Sequence, residues 1–353
     1  MDTTDRKHEQ TGGEGDWLTL LKDNARTGGL GAAALPSPAG ARWQARSGAS
    51  IRSAPVLRDE TLYVTTLGGE LLAFNTDNGR VRWRFQTGSP SHATPTLYRE
   101  NVLFGCDNGS LYCVNAKTGT RAWEFPTQGE IWASPVVREG VGFFGSADGH
   151  IYAVEAATGE FRWKQSFGGR IYATACAGEN HIYVGCGDGH MHCVNAKTGK
   201  AVWSTLTGNG IDSSPALVGD TLLFGSEDFS VYALDAGSGA VRWKYETGLG
   251  IAASPAVRGE VAVIGSKDGN LYALEVATGK LRWKTLVGEV VTAPAAFGES
   301  VIYIQSGGLF VLEAATGKVL WRAWLGQGVQ SVPIVAGRTI YLASNDGDLY
   351  ALE

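Results

Sequence analysis

Residues 196–203 read AKTGKAVW, and this short stretch ends in a tryptophan that marks a repeat. The interval between successive marker tryptophans is 40 residues six times and then 38. The series is Trp43, Trp83, Trp123, Trp163, Trp203, Trp243, Trp283 and Trp321. A fixed period of this size is typical of one supersecondary unit copied along the chain. The repeat therefore indicates the fold class before any local propensity is weighed.

A single repeat reads as four short strands joined by tight turns. In the sixth repeat the predicted strands are residues 251–257, 260–266, 270–275 and 281–284. Asp268-Gly269 separates the second strand from the third, and a Gly-containing turn at 277–280 separates the third from the fourth. Four short antiparallel strands with turns at this interval predict one blade of a β-propeller.

Proline marks the first strand of seven repeats, and Ala175 stands there in the remaining one. The series is Pro55, Pro95, Pro135, Pro215, Pro255, Pro294 and Pro333. Proline cannot donate to a strand ladder, so this strand is predicted to be the inner edge that borders the central channel. The marker tryptophan then lies on the outer strand, where it is expected to wedge between blades.

Eight first strands can be counted, but the last repeat stops at Glu353 after its third strand. The missing fourth strand is predicted at residues 41–46, around Trp43. The fold class is therefore all-β: an eight-bladed β-propeller of four-stranded antiparallel blades, closed by pairing of an N-terminal strand with the C-terminal blade. Closure removes exposed sheet edges. The propeller is predicted to be a single domain at 16–353, preceded by a disordered tail at 1–15.

Composition excludes several function classes. The net charge of -5 and the pI of about 5.8 argue against a nucleic-acid partner. No apolar run is long enough to predict a membrane span. The first residues contain no apolar signal region, so the sequence as given predicts a cytoplasmic protein, or a periplasmic one if a leader was removed. Five cysteines, expected to be free thiols, fit a reducing compartment.

The repeat resembles that of the pyrroloquinoline-quinone-like (PQQ-like) β-propeller family. The signature Ala-x-Thr-Gly-x-x-x-Trp stands at 116–123, 196–203 and 314–321. Trp17, Leu20, Asp23 and Arg26 are similarly spaced to the segment that precedes the ring in this family. This family includes outer-membrane assembly lipoproteins and quinoprotein dehydrogenases, and the resemblance implies the β-propeller fold.

The resemblance transfers no catalytic residue. The dehydrogenases usually carry a vicinal Cys-Cys pair and long excursions between blades, and this sequence has neither. The lipobox leader of the assembly lipoproteins is also missing from the sequence as given. No cofactor is therefore expected, and PQQ is considered only if the protein is an enzyme.

One inner-strand position is chemically diverse among otherwise regular repeats. Three residues before the proline position the repeats carry Arg52, His92, Trp132, Tyr172, Asp212, Ala252, Val291 and Gln330. The position is expected at one mouth of the channel. Aromatic rings with a few polar groups are typical of a ligand pocket, where Trp132 and Tyr172 could stack on a planar ligand. Arg52 could hold a carboxylate or phosphate, and His92 or Asp212 could move a proton.

Two further features lie in the hairpins of the same face. Phe229 replaces the glycine of the usual Asp-Gly turn, which predicts a contact surface or a ring resting on a neighbouring loop. His150 and His190 are equivalent positions, with His192 and Cys186 nearby in sequence. Nearly every repeat has a polar residue at the His150 position, so we predict no metal site.

These observations predict a non-catalytic binding or scaffolding propeller, expected to be a monomer, that holds a peptide, a protein partner or a small ligand at the mouth. The predicted ligand-binding residues are Arg52, His92, Trp132, Tyr172, Asp212, Gln330 and Phe229. The alternative is an enzyme at the same mouth, quinone-dependent or a cofactor-independent biosynthetic one, with His92, Asp212 and Arg52 as catalytic candidates. Convergence of those three around an open cavity would favour the enzyme. A third alternative is that these side chains only fill the channel.

Overall fold

The computed structural model describes residue 38 and residues 40–288, 290–324 and 331–353. These residues form eight four-stranded antiparallel sheets, which are the blades of an eight-bladed β-propeller. The predicted tail at 1–15 and the family-like segment from Trp17 to Gly28 lie outside the described residues, as does Gln330. The described part contains no helix long and apolar enough to cross a membrane.

The strands are numbered in chain order, four to a blade. Blades 1 and 2 contain β2 (Val56–Arg58), β3 (Thr61–Thr65), β4 (Glu70–Asn75), β5 (Val81–Gln86), β6 (Thr96–Tyr98), β7 (Asn101–Gly105), β8 (Ser110–Asn115) and β9 (Arg121–Pro126). Blades 3 and 4 contain β10 (Val136–Arg138), β11 (Val141–Gly145), β12 (His150–Glu155), β13 (Phe161–Ser166), β14 (Cys176–Ala177), β15 (His181–Gly185), β16 (His190–Asn195) and β17 (Ala201–Leu206).

Blades 5 and 6 contain β18 (Ala216–Val218), β19 (Thr221–Gly225), β20 (Ser230–Asp235), β21 (Val241–Glu246), β22 (Ala256–Arg258), β23 (Val261–Gly265), β24 (Asn270–Glu275) and β25 (Leu281–Leu286). Blade 7 contains β26 (Ala296–Phe297), β27 (Val301–Gln305), β28 (Leu309–Glu313) and β29 (Val319–Ala323). Blade 8 contains β30 (Ile334–Ala336), β31 (Thr339–Ala343), β32 (Asp348–Leu352) and, from the other end of the chain, β1 (Ala41–Arg46).

The termini close the ring as predicted. β1 pairs antiparallel with β32, and Trp43 lies opposite Ala351. The Trp43 ring lies 5.9 Å from the Tyr341 ring within this blade, and its indole nitrogen donates to the Thr76 carbonyl of blade 1 at 2.7 Å. β1 therefore supplies both the fourth strand of blade 8 and the contact that joins blade 8 to blade 1.

The marker tryptophan joins each blade to the next, and the signature around it has a physical explanation. The Trp203 indole nitrogen donates to the Ala236 carbonyl of blade 5 at 3.1 Å. Gly239 follows in the same turn with a φ of 75°, and a Cβ there would lie 2.7 Å from the Trp203 ring. The alanine of the signature thus supplies the carbonyl acceptor, and its glycine leaves room for the tryptophan ring of the preceding blade. The tryptophan that ends the signature then makes the same contact with the following blade.

The first strand of each blade is shorter than predicted. In blade 6 the regular pairing begins at Ala256, although residues 251–257 were expected to form the strand. The Ile251 amide donates to the Ser226 carbonyl of blade 5 at 3.1 Å. Residues 251–255 therefore bond to the preceding blade instead of their own sheet, which a proline at Pro255 permits because it needs no partner for an amide.

A belt of hydroxyl groups runs around the channel at the position just before the proline. The Ser134 amide donates to the Thr174 hydroxyl at 3.0 Å, and the same bond recurs from blade to blade. The acceptors are Thr94, Ser134, Thr174, Ser214 and Ser254. Proline occupies the corresponding place in blade 7, at Pro294, so no such bond links blade 6 to blade 7. Small residues here thus connect blades, beyond leaving room at the axis.

All five cysteines lie in the described part of the chain. They are buried, and none forms a disulfide. The sequence-based prediction that the cysteines form no disulfides therefore holds for the structure.

Candidate functional site

One face of the ring is built from two kinds of loop that touch. Each connection from a fourth strand to the next blade lies against the hairpin between the second and third strands. In blade 1 the Thr87 amide donates to the Gly69 carbonyl at 2.8 Å, and the Thr87 hydroxyl lies 2.9 Å from the same oxygen. We call this side, with the start of each inner strand, the mouth face. The opposite face carries the turns between first and second and between third and fourth strands.

The diverse inner-strand residues start next to a buried anchor. Ile131 is fully buried and Trp132 after it is half-buried. His92, Tyr172 and Asp212 are half-buried in the same way, while Arg52 is exposed. The residues predicted for the mouth thus share one setting, at the boundary between the buried ring interior and solvent.

Blade 7 corrects the alignment of this position. Val291 was placed among the diverse residues, but its side chain is buried and its amide donates to the Ser266 carbonyl at 3.1 Å. That is the contact made by the anchor Ile251 one blade earlier. The half-buried equivalent is therefore Thr292. The shift arose because Pro294 was taken as the reference, and it stands one place early in this blade.

Three rings at the mouth stack on one another. The His92 and Trp132 ring centroids lie 4.4 Å apart, and Trp132 and Tyr172 lie 4.3 Å apart with 16° between their planes. At the Tyr172 end of this column, the Arg170 guanidinium lies 5.0 Å from the Tyr172 ring centroid. The faces of Trp132 are thus covered by neighbours. A planar ligand could stack on a face of Trp132 only by displacing the His92 ring or the Tyr172 ring.

His92 has an acidic partner that the sequence analysis missed. His92 Nε2 lies 3.5 Å from Asp107 Oδ2. Burial lowers the pKa of His92, against the opposing charge of Asp107, and burial raises the pKa of Asp107. The signal was available: Asp107 stands 15 residues after His92, where the repeats before and after carry Leu67 and Ala147.

Asp212 stands in a mixed cluster of charges in blades 4 to 6. Burial raises the pKa of Asp212, and the Glu227 charge adds to the shift, whereas Arg170 and Lys267 oppose it. Glu227 accepts a hydrogen bond from Lys267 Nζ at 2.6 Å. Within the described chain no hydrogen bond reaches the Asp212 carboxylate. Glu227 and Lys267 were also missed, and they too stand 15 residues after the diverse position of their blades.

The three catalytic candidates do not converge. In the described structure no hydrogen bond or ion pair joins any two of Arg52, His92 and Asp212. The column of Trp132 and Tyr172 stands between the blades of His92 and Asp212. The Arg52 charge helps to lower the pKa of His92, but burial and Asp107 are the larger influences. The mouth is an arc of local pairs, and it does not gather these groups around one reacting centre.

Blades 4 to 7 carry exposed apolar side chains on the mouth face. Phe229 is 48% exposed, and its φ of 75° places it in the left-handed region that favours glycine. The final residue of the fourth strand, or the one after it in blade 7, is also apolar and exposed in three of these blades: Leu206, Leu286 and Trp324. Leu249, in the connection between blades 5 and 6, is exposed as well. We call Leu206, Phe229, Leu249, Leu286 and Trp324 the apolar rim.

The opposite face is more structured than its repetitive sequence indicated. Clefts open there at the boundaries of blades 1 and 2 and of blades 3 and 4, lined in part by Arg58, Trp83, Arg138 and Lys197. Arg258 donates to the Glu299 carbonyl of blade 7 at 2.6 Å. Arg258 therefore helps to join blades, and the nearby Glu260, whose side chain is 90% exposed, is the better control position.

The repeats match the model of a known protein family. The family model described as outer membrane protein assembly factor BamB matches three overlapping segments, residues 34–170, 147–290 and 285–353. These matches together cover nearly the whole described chain. A search of curated proteins finds no significant sequence match.

Solved structures share the fold at low sequence identity. The structure of BamB from Moraxella catarrhalis is 17% identical with a TM-score of 0.76, covering 88% of this chain and 98% of that one. Quinohemoprotein alcohol dehydrogenase from Comamonas testosteroni is 15% identical with a TM-score of 0.84, covering 100% of this chain and 82% of that one. The computationally designed Ika8 protein is 16% identical with a TM-score of 0.78, covering 87% and 98%. At these identities the likeness concerns the fold.

Proposed function

The chain belongs to the PQQ-like β-propeller family whose model is described as outer membrane protein assembly factor BamB, and on this premise we propose that it is a non-catalytic scaffold that binds a polypeptide partner on its mouth face. An assembly factor acts through contact with other polypeptides. The observation that carries the proposal is the apolar rim, which lies on the same face as the charged and aromatic arc.

The apolar rim supports a protein partner over a small ligand. Its side chains are 46% to 70% exposed and are spread over four neighbouring blades. Apolar groups grouped on one face and bordered by polar residues mark protein interaction surfaces. Phe229 adds a second reason, because a non-glycine residue held in the left-handed region costs about 1–2 kcal/mol. A contact made by the ring would explain why this strain is retained.

The charges of the arc suit a polypeptide as well. Going round the mouth, the charged residues are Arg52, Asp107, Glu130, Arg170, Asp212, Glu227 and Lys267. Three positive and four negative residues are interspersed, so the surface presents no single field that would select a polyanion. Mixed charges of this kind give register and specificity to a polypeptide that also contacts the apolar rim.

Crosslinking from the two faces tests the proposal. A photo-crosslinking residue at Leu249, on the apolar rim, is expected to capture a defined polypeptide in cells, while the same residue at Glu260, on the opposite face, is not. The double variant Phe229→Gly, Leu286→Asn should reduce the Leu249 crosslink at least about tenfold, with a melting temperature no lower than that of the parent. Equal capture from both faces, or full capture by the double variant, would contradict the proposal.

The second candidate is an enzyme, and the His92–Asp107 pair is the observation that favours it. Asp107 of the pair lines a cleft of about 480 Å3 together with Glu130. The pKa of His92 is lowered and that of Asp107 is raised, chiefly by burial in each case, and shifts of this kind are frequent at catalytic sites. Under this alternative His92→Gln abolishes turnover. If the enzyme is quinone-dependent, the bound quinone is detected by the visible absorbance of the purified protein. A colourless protein whose partner binding survives His92→Gln favours the scaffold.

A further inference from the structure

Blade 4 differs from its neighbours at three linked positions of the mouth face. In blades 3, 5 and 6 the hairpin between the second and third strands carries serine, then aspartate two residues later, then tyrosine four residues after that. In blade 3 these are Ser146, Asp148 and Tyr152. The tyrosine hydroxyl donates to the aspartate at 2.6 Å, and the same bond measures 2.6 Å in blade 5 and 2.5 Å in blade 6. Blade 4 has cysteine and histidine in place of the serine and the tyrosine.

The blade 4 residues are Cys186, Asp188 and His192. One ligand atom of each, the thiol sulfur, a carboxylate oxygen and a ring nitrogen, lies within 4.8 Å of the other two. His192 Nε2 is 3.2 Å from Asp188 Oδ2, and the cysteine and histidine side chains are buried. Ligand atoms bound at about 2.0–2.3 Å to one zinc ion lie within about 4.6 Å of each other. The three side chains therefore need only a small adjustment to share an ion.

A third replacement, on the adjacent strand, makes the position suitable for a cation. In blades 3, 5 and 6 a lysine ammonium lies 5.0 to 5.6 Å from the ring of the tyrosine: Lys164, Lys244 and Lys284. Blade 4 has Ser204 there, and its hydroxyl lies 2.8 Å from His192 Nδ1. The positive charge is thus gone, and a hydrogen bond to the other ring nitrogen holds the imidazole, as is usual for a metal-binding histidine.

His190 adds a further nitrogen beside this group. Its Nδ1 is buried without a hydrogen-bond partner and lies 3.4 Å from Asp188 Oδ1. Its ring lies 5.4 Å from the His192 ring on the same side of the strand. His190 lies outside the group of three, so its side chain must rotate before it can act as a fourth ligand.

We propose that Cys186, Asp188 and His192, completed by His190, bind a zinc ion on the mouth face of blade 4. Thiolate, imidazole and carboxylate are together the ligands of zinc, whereas calcium and magnesium prefer oxygen alone. Binding releases the thiol proton to solvent, and the Gly169 carbonyl, 3.2 Å from the Cys186 sulfur, gives up that donor. The site is independent of the proposed partner surface, because none of its residues belongs to the apolar rim.

The repeat itself supplies the matched control. The triple variant Cys186→Ser, His192→Tyr, Ser204→Lys gives blade 4 the arrangement of blade 3, so it should fold. In titrations of the intact chain with zinc against a chromophoric chelator, the parent is expected to bind one ion with at least about 100-fold higher affinity than the triple variant. Zinc should raise the melting temperature of the parent only. The reverse change in blade 3, Ser146→Cys, Tyr152→His, Lys164→Ser, should add a second ion.

Cobalt(II) reports the ligand directly. Cobalt bound through Cys186 gives an intense thiolate-to-metal absorption band, which the single variant Cys186→Ser should lose. Zinc affinity equal in the parent and the triple variant would overturn the proposal, and so would cobalt binding without the thiolate band. The triple variant avoids ambiguity from misfolding, because its melting temperature without metal is measured beside that of the parent.

Discussion

The two faces of this ring use one repeat in different ways. On the opposite face the turns between third and fourth strands repeat the same contact, in which the tryptophan of one blade packs under a glycine of the next, from Trp43 with Gly79 to Trp283 with Gly317. On the mouth face the corresponding loops carry a ring stack, charged pairs, exposed apolar residues and the Cys186 cluster in different blades. The backbone plan is equally regular on both sides.

The difference between the two faces indicates which contacts stabilise the fold. The side-chain contact that recurs between successive blades, tryptophan against glycine, is made on one face, whereas the recurring contacts of the mouth face are backbone hydrogen bonds. Side-chain substitutions on the mouth face therefore change local chemistry with little effect on closure of the ring. Repeat proteins are stabilised by interfaces between neighbours, and here the tryptophan contact is that interface. Substitutions of the same type on the two faces, compared by their effect on stability, test this difference.

Replacement of tryptophan should give the largest contrast. Trp203→Ala removes a ring packed between blades 4 and 5 together with its hydrogen bond to Ala236, and should lower the free energy of unfolding by about 3–5 kcal/mol. Trp324 is 70% exposed on the mouth face, and Trp324→Ala should change it by no more than about 0.5 kcal/mol. Urea denaturation of both variants measures the difference. Similar losses for the two would abolish the distinction between the faces.

Addition of one methyl group should give the next largest effect. Gly239→Ala places a Cβ 2.7 Å from the Trp203 ring at a φ of 75°, and should cost about 2–4 kcal/mol from strain and overpacking. Gly189 on the mouth face has a φ of 87°, but its nearest neighbour to a new Cβ is 3.4 Å away. Gly189→Ala should therefore cost only the backbone strain, about 1–2 kcal/mol. Thermal and urea unfolding of the pair separate strain from collision.

Loss of the central stacked ring should have an intermediate effect. Trp132→Ala removes a ring that contacts both His92 and Tyr172. Two aromatic contacts of about 0.5–1.5 kcal/mol each predict a loss of about 1–3 kcal/mol in urea unfolding. Tyr172→Phe keeps the ring and should cost no more than about 0.5 kcal/mol. An unchanged stability for Trp132→Ala would mean that the column contributes nothing to the fold.

The smallest effect concerns pH. Burial raises the pKa of Asp212 above its unfolded value of about 3.9, so the native state holds this proton more tightly and loses stability as pH rises through the window between the two pKa values. Asp212→Asn should therefore raise the melting temperature at pH 7 and leave it unchanged at pH 3.

Asp228 supplies the opposite case for that pH experiment. Burial acts to raise its pKa, but hydrogen bonds from Tyr232 and the Gly208 amide outweigh burial and the pKa is lowered. Its contribution to stability is present above the unfolded pKa and is lost as pH falls through the folded one. Asp228→Asn should thus lower the melting temperature at pH 7 and lose this effect in acid. The same sign for both variants would contradict the described environments.

The sequence predicted those features that a period and a residue type determine together. Eight tryptophans and seven prolines locate outer and inner strands, and the unpaired third strand at the C-terminus requires a partner such as β1. The wedge role of tryptophan follows from its size. These features recur in many blades, so the repeat itself confirms each assignment.

The features that were missed depend on which neighbours meet in space. Asp107 was passed over because it is remote from His92 in sequence, and the hydroxyl belt because serine and threonine were read only as small. The Trp132 and Tyr172 rings were predicted to stack on a ligand, because the sequence does not reveal that adjacent blades bring the two ring centroids to 4.3 Å from each other. The prediction of no metal site rested on the polar residue that recurs at the His190 position, and it did not weigh the replacement of serine and tyrosine by Cys186 and His192.

The pairing of β1 with β32 has a consequence for biosynthesis. At about 5–20 residues per second, the ribosome makes Glu353 roughly 15 to 60 s after residue 43. Blades 1 to 7 can form in order during that interval, but the strand at 41–46 has no partner until the final strand leaves the exit tunnel. A nascent chain therefore carries an open edge strand from the synthesis of β1 to that of β32, which is the period in which chaperone binding would matter most.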